Sequence, residues 1–237
     1  MTCELKLLFT FLVVVGLMQV QTLVVGGEPQ VPCYFIFGDA LVDSGNNNRL
    51  ATIGKANYQP YGIDFPQGQL LGFLKFIPPY ALATDQEIST GVNYGSGYSG
   101  IRKETGRVLV NIRSDDYTNN YLVPNSYPTS RIYTPDQYAA VLLRQYSQQL
   151  KTLYNLGARK IAVYGLGEVL PNVPCCQVPS DGQCIPNSIP CPVRALSLWY
   201  DGFHPTEIVN TISATRSYSA LSSMDASPYD ISHLARL

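Results

Sequence analysis

From Cys33 to Phe37 the chain reads Cys-Tyr-Phe-Ile-Phe, an unbroken apolar run, and then turns polar through Gly38, Asp39 and the stretch Asp43-Ser44-Gly45-Asn46-Asn47-Asn48. A short run of aromatic and β-branched residues ending in Gly-Asp predicts a buried parallel strand that opens into a loop at Gly38. The longest regular pattern lies further on, where Val141, Leu142, Tyr146, Leu150, Leu153 and Tyr154 recur at three- and four-residue steps and predict an amphipathic helix. Its start is marked by Thr134, Pro135 and Gln137, a Thr-x-x-Gln capping box with proline at the first helical position, and its end by Gly157. Lys-Ile-Ala-Val-Tyr-Gly-Leu-Gly, residues 160–167, follows at once as a second buried strand. The order helix, tight turn, strand predicts an α/β layer fold with a parallel sheet. Arg107 to Arg113, Arg-Val-Leu-Val-Asn-Ile-Arg, predicts a third strand running into Asp115 and Asp116. Proline, cysteine and glycine between Gly167 and Leu196 predict loop. Asp201-Gly202-Phe203 then reads as a turn, and Pro205 as the start of a helix with Ile208, Val209 and Ile212 on one face.

Composition narrows the class. The 237 residues are 46% hydrophobic and 14% charged, which suits one compact globular unit and excludes disorder. Sixteen Lys and Arg against seventeen Asp and Glu give a net charge of −1, with no cationic run, so nucleic acid is excluded as a partner. At the N-terminus, Lys6 precedes an apolar run from Leu7 to Met18, and Val25 and Gly27 suit the positions before a cleavage point. Residues 1–27 therefore read as a secretory signal peptide and 28–237 as the mature domain, secreted and extracellular. The alternative, an integral membrane anchor, needs an apolar run of about 20 residues, and this one is shorter. Five of the six cysteines lie beyond the signal. Cys175, Cys176, Cys184 and Cys191 lack the paired rhythm of a zinc site and predict two local disulfides, with Cys33 left over beside a buried strand, reactive only on denaturation.

Asp201 and His204 lie three apart, close enough for the carboxylate to accept the imidazole Nδ1 proton and leave Nε2 as a base. Taken alone, so brief a pair reads rather as a surface histidine beside an acidic turn residue. The strand-end Gly38-Asp39-Ala40-Leu41 changes the weighting, because the position after Gly-Asp suits an exposed nucleophile and is occupied by a methyl group.

These residues together resemble the plant GDSL-type esterase/lipase family, within the SGNH hydrolase fold. The resemblance rests on Cys33–Asn48, Tyr58–Pro66, Ile77–Ala81, Gly91–Gly106, Tyr133–Gly167, Leu198–Glu207 and the tail Pro228–Leu237. It implies a three-layer, flavodoxin-like α/β fold with a parallel sheet, hydrolysis of carboxylic or lipid esters, and neither cofactor nor metal. Carried onto this chain, Asp201 and His204 match the family's Asp-x-x-His pair, and Gly97 stands for the second-block glycine of the oxyanion hole. Ala40 stands where the serine nucleophile belongs. In the third block the expected Gly-x-Asn-Asp reads Arg113-Ser114-Asp115-Asp116, so Asp115 replaces the amide donor. Ser44 lies about a helical turn from the nucleophile position, roughly 5 to 6 Å, which misses a near-attack distance of about 3 to 3.5 Å; a turn role fits it better. His233 has no place in the pattern.

The chain is also shortened relative to the family after Gln69, after Arg107 and after Pro171, and each gap would remove a helix or strand. Three readings follow: an inactive secreted family member able to bind an ester or lipid, a residual hydrolase in which His204 with Asp201 activates water, and a product that does not fold stably.

Overall fold

The computed structural model describes residues 29–64, 71–73, 75–102, 115–164 and 173–237. The signal peptide expected over 1–27, the strand expected over Arg107–Arg113 and the last residues of 160–167 lie outside these. The chain divides into two units, Met1–Pro32 with Gln67–Phe76, and Cys33–Pro66 with Ile77–Leu237. In the first, the Gln30 N–H donates to the Leu71 carbonyl at 3.0 Å. The second contains every candidate site residue.

The apolar run after Cys33 pairs in parallel with residues 90–96. Tyr34 and Ile36 donate their N–H groups to the carbonyls of Thr90 and Val92, both at 3.1 Å, and Tyr94 and Ser96 donate back to Ile36 and Gly38 at 2.7 and 3.0 Å. Donors that alternate every second residue make the slanted ladder of a parallel pair. On the other side, Asn93 donates to the Pro78 carbonyl at 2.8 Å and accepts from the Tyr80 N–H at 2.9 Å, so a third segment also runs parallel. The central segment is reached through helix α1 (Asp85–Thr90), which Thr84 and Glu87 cap reciprocally. Gly91 follows at φ +126°, where an added Cβ would stand 2.0 Å from the Tyr34 carbonyl oxygen. Only glycine lets the two segments approach here.

The expected sheet is thus represented, among the described residues, by single parallel bridges at Ile36, Pro79 and Asn93. Two strand expectations need correction. Phe35 is 40% exposed, so the first segment is covered on one side only. Lys160–Tyr164 forms no ladder with the described residues, and Ile161, Val163 and Tyr164 are exposed. An apolar run becomes a buried strand only where a neighbour supplies ladder partners and cover.

Helices α2 (Thr129–Ile132) and α3 (Pro135–Asn155) lie on the Tyr-rich side of the unit. The Thr134 N–H donates to Gln137 Oε1 at 2.9 Å and the Gln137 N–H to Thr134 Oγ1 at 3.3 Å, closing the predicted capping box. Gly157, at φ +111°, follows the end of the helix. Tyr138, Leu142 and Tyr146 are buried and pack with Ile101 and Tyr121. Tyr138 lies one turn before the predicted stripe, and its hydroxyl donates to the Asp116 carbonyl at 3.0 Å. Tyr154, expected on the buried face, is exposed, with the Arg159 guanidinium 4.4 Å above its ring.

A second cluster holds the disulfides Cys175–Cys191 and Cys176–Cys184, packed with Tyr200 and Tyr61. Cys33 is unpaired, as expected, but exposed rather than buried. Helix α4 spans Glu207–Tyr218 and starts two residues later than Pro205. The Thr206 N–H donates to the Leu198 carbonyl and its Oγ1 to the Ser197 carbonyl, so Pro205–Thr206 is tied back before the helix can begin. Ile212 is exposed and no residue of α4 is buried. Helix α5 (Ile231–Arg236) follows, and the His233 ring stacks on Tyr229 at 4.5 Å. Among the described residues no helix is long and apolar enough to cross a membrane.

Candidate active site

Beyond Gly38 the backbone turns through a 3-10 turn, Ala40–Val42, capped by Asp39, whose carboxylate accepts from the Leu41 N–H at 3.1 Å. Asp39 is itself buried, so the turn is fixed and Ala40 is presented from it. The asparagines that follow bind this turn to the central parallel segment. Asn46 Nδ2 donates to the carbonyls of Asn93 and Gly95 at 2.8 and 2.7 Å, and Asn47 Nδ2 to those of Gly54 and Gly97 at 2.8 and 3.0 Å. Asn93 Nδ2 reaches back to the Val42 carbonyl at 2.6 Å and to Ser44 Oγ at 3.0 Å. Ser44 is therefore held as part of the turn.

Gly97 sits against this network. An added Cβ would come within 2.8 Å of Asn47 Nδ2, so a side chain there would dislodge the loop. Its N–H donates to Asp43 Oδ2 at 3.0 Å, while Asp43 Oδ1 accepts from the Gly45 and Asn46 amides at 2.9 and 2.7 Å. The amide of Gly97 is committed to a carboxylate.

Asp201 is 1% exposed and fully satisfied. Oδ1 accepts from the backbone N–H groups of Phe203 and His204 at 2.8 and 2.7 Å, which builds the turn read in the sequence. Oδ2 faces His204 Nδ1 at 2.8 Å and accepts from the Tyr61 hydroxyl at 2.5 Å. Burial pushes the Asp201 carboxyl up, but the bonds from His204, Tyr61 and the Phe203 amide more than offset it and hold the group below the usual carboxylate range. An ionised Asp201 fixes the Nδ1–H tautomer of His204 and leaves Nε2 as the open nitrogen. Tyr61 is in turn pinned by the Cys184 N–H at 3.0 Å, and its ionisation is driven far upward by burial and by Asp201, so it serves as a neutral donor.

Asp115 lies at the start of a turn that leads into a π-helical segment, Tyr117–Tyr121. Its neighbour Asp116 is buried and accepts from the Ile101 and Arg102 amides at 2.6 and 3.2 Å, which anchors the segment. Asp115 Oδ1 accepts from Asn119 Nδ2 at 2.9 Å, whereas Oδ2 is buried with no hydrogen-bond partner among the described residues. Burial first, then Asp39 and Asp116, push its carboxyl up to about 7, with His204 acting in the opposite sense.

Ala40, Ser44, Gly97, Asp115 and His204 line one cavity of about 800 Å³, with Leu41, Ile63, Tyr98 and Phe203 among its apolar walls. Asp201 stands behind His204. The structure thus brings together every candidate site residue read from the sequence. Tyr61 and Asp43 were not singled out there; Tyr61 stands in the Tyr58–Pro66 block and Asp43 in the asparagine loop, but their partners are 140 and 54 residues away.

Similarity to known proteins gives the family. It is 34% identical to GDSL esterase/lipase At1g29660 of Arabidopsis thaliana over 90% of this chain and 94% of that protein. It is 34% identical to GDSL esterase/lipase At1g29670, also from Arabidopsis thaliana, over 89% and 93%, and 32% identical to At4g18970 from the same plant over 89% and 94%. The first alignment runs over 341 positions, more than the 237 residues of the chain, so it crosses internal gaps. No family model and no solved structure matches. Identity of this extent across nearly the whole of both sequences settles the relationship, and the chain belongs to the plant GDSL esterase/lipase family.

Proposed function

We propose that this chain keeps the ester-binding cleft of an SGNH-type hydrolase, the fold its family membership implies, and has lost the acyl-enzyme chemistry. The observation that carries this reading is the Asp201–His204 pair, oriented by its hydrogen bonds with Nε2 left open, beside a cavity where the Gly-Asp-Ala turn presents a methyl group. In a working site His204 Nε2 would take the proton of a serine hydroxyl as it attacks the acyl carbon. Ala40 has no such oxygen, and Ser44 is held by Asn93.

The oxyanion side is weakened as well. Gly97 gives its amide to Asp43, and Asp115, in place of an amide side chain, offers no N–H. Loss of a triad serine costs on the order of a million-fold in turnover, and loss of one oxyanion donor about a hundred- to a thousand-fold. The cavity's size and apolar walls support an acyl ligand. Two disulfides support an oxidising compartment, and with residues 1–27 read as a signal peptide, 28–237 is the secreted domain.

The test is repair. At pH 8 Ala40→Ser should hydrolyse p-nitrophenyl butyrate only feebly, because an ionised Asp115 faces the developing oxyanion. Ala40→Ser with Asp115→Asn should exceed it by about a hundred-fold. Equal activities would remove Asp115 from the oxyanion position. Hydrolysis by the unaltered chain, abolished in His204→Ala, would favour the second reading, in which the intact pair activates water.

A further inference from the structure

Asp201 Oδ1 is taken up by the backbone amides of Phe203 and His204, so the imidazole is left with Oδ2 alone. There it competes. His204 Nδ1 lies 2.8 Å from Oδ2, and the Tyr61 hydroxyl donates to the same oxygen at 2.5 Å. Two donors on one carboxylate oxygen divide its charge between them, and the shorter, charge-assisted bond takes the larger part. The phenol is itself held in place. Cys184, closed in a disulfide with Cys176, donates its N–H to the Tyr61 oxygen at 3.0 Å, so that oxygen has its incoming donor and its own proton goes to Asp201. The Tyr58 ring stands edge-on to Tyr61 at 5.2 Å, with its hydroxyl on the Cys184 carbonyl at 3.0 Å, and Tyr200 packs against Tyr61 at 5.8 Å. The other three donors to Asp201 belong to its own turn, residues 201–204. Tyr61, which lines the cleft 140 residues away in sequence, supplies the one hold from outside.

We propose that Tyr61 is a positioning residue of this site: its hydroxyl ties the turn that carries Asp201 and His204 to the wall of the cleft, and it tempers the pull of Oδ2 on the His204 Nδ1–H. It acts through Asp201 and sets how much electron density reaches the open Nε2. The phenol suits this task because it remains a neutral donor beside an ionised carboxylate, where a cation would neutralise the charge that the imidazole needs. The inference concerns the pair itself and holds whether or not the cleft takes an acyl ligand.

Proton NMR of the purified full chain, labelled with nitrogen-15 in histidine and held at one pH, tests this without any need for activity. His204 and the exposed His233 are its only histidines, so the Nδ1–H shared with Asp201 should stand out as a single low-field resonance. Tyr61→Phe leaves Oδ2 to the imidazole alone and should move that resonance downfield. The analogue 3-fluorotyrosine placed at position 61, a stronger donor that keeps the ring's contacts, should move it upfield. Tyr58→Phe removes a hydroxyl from the same cluster that touches Cys184 rather than Asp201, and should leave it in place. If Tyr61→Phe does not fold, the fluorinated chain decides: an upfield shift supports the role, and no shift overturns it. A resonance indifferent to both changes at Tyr61, or moved as far by Tyr58→Phe, would reduce Tyr61 to a packing residue and overturn the proposal. Absence of any low-field proton in the native chain would overturn it too, since the Asp201–His204 bond on which Tyr61 acts would then be missing.

Discussion

Three aspartates around the cleft differ chiefly in who donates to them. Asp201 receives four hydrogen bonds and stays ionised; Asp43 receives three from backbone amides; Asp115 receives one and is pushed up to about 7. The Asp201–His204 pair was legible because a three-residue spacing lets a carboxylate cap its own turn and meet the ring. Asp115 was legible as an acidic residue, but not its surroundings, since the missing donor and the neighbouring Asp39 emerge only from folding. Asp115 also sets a pH dependence of stability. Its folded value lies above the ordinary 3.8, so its contribution is fully present below about 3.8 and is lost as pH rises through about 7. Asp115→Asn does not titrate. Its melting temperature should match that of the native chain within about 2 °C at pH 4 and exceed it by about 5 °C at pH 8. A constant offset at both pH values would show that Asp115 is not buried in its charged form.

At the scale of elements, α3 was legible from end to end because its signals are local: a capping box, a proline at the first turn, a 3.6-residue stripe and a glycine stop. Of the parallel segments only the first was, since a strand depends on partners that sequence pattern does not name. Tyr34–Gly38 finds its partner at Thr90–Ser96, more than fifty residues on, while Lys160–Tyr164, with a similar apolar pattern, remains exposed. Pro205 marked a helix start correctly in kind but early, because Thr206 bonds back to Ser197 and Leu198 first. Cys33 gives the most direct check on the first segment. Its thiol is unpaired and exposed at the segment's beginning, so a disulfide-exchange reagent should modify one thiol per mature chain, residues 28–237, in the native state about as completely as in denaturant. A thiol that reacts only after denaturation would place this end of the segment inside the core.

Over the whole molecule, the core of the larger unit is built from tyrosines to an unusual degree: Tyr121, Tyr138 and Tyr146 on one side, Tyr200 with Tyr61 on the other. Each buried phenol needs an acceptor, and several find backbone carbonyls or, in Tyr61, the Asp201 carboxylate. Packing and site are therefore coupled, so that the disulfide cluster which holds Tyr61 also holds Asp201. The alignment with At1g29660 runs over 341 positions and so crosses internal gaps in this chain. Yet the turn at Ala40, the asparagine loop and the Asp201–His204 pair still meet around one cavity. The most direct measurement is the intact mass of the purified chain after exposure to a fluorophosphonate, alongside Ala40→Ser. The native chain should gain no adduct, and Ala40→Ser should gain one that requires His204. An adduct on the native chain that disappears in Ser44→Ala would place a working nucleophile in the cleft and contradict the proposed loss of acyl-enzyme chemistry.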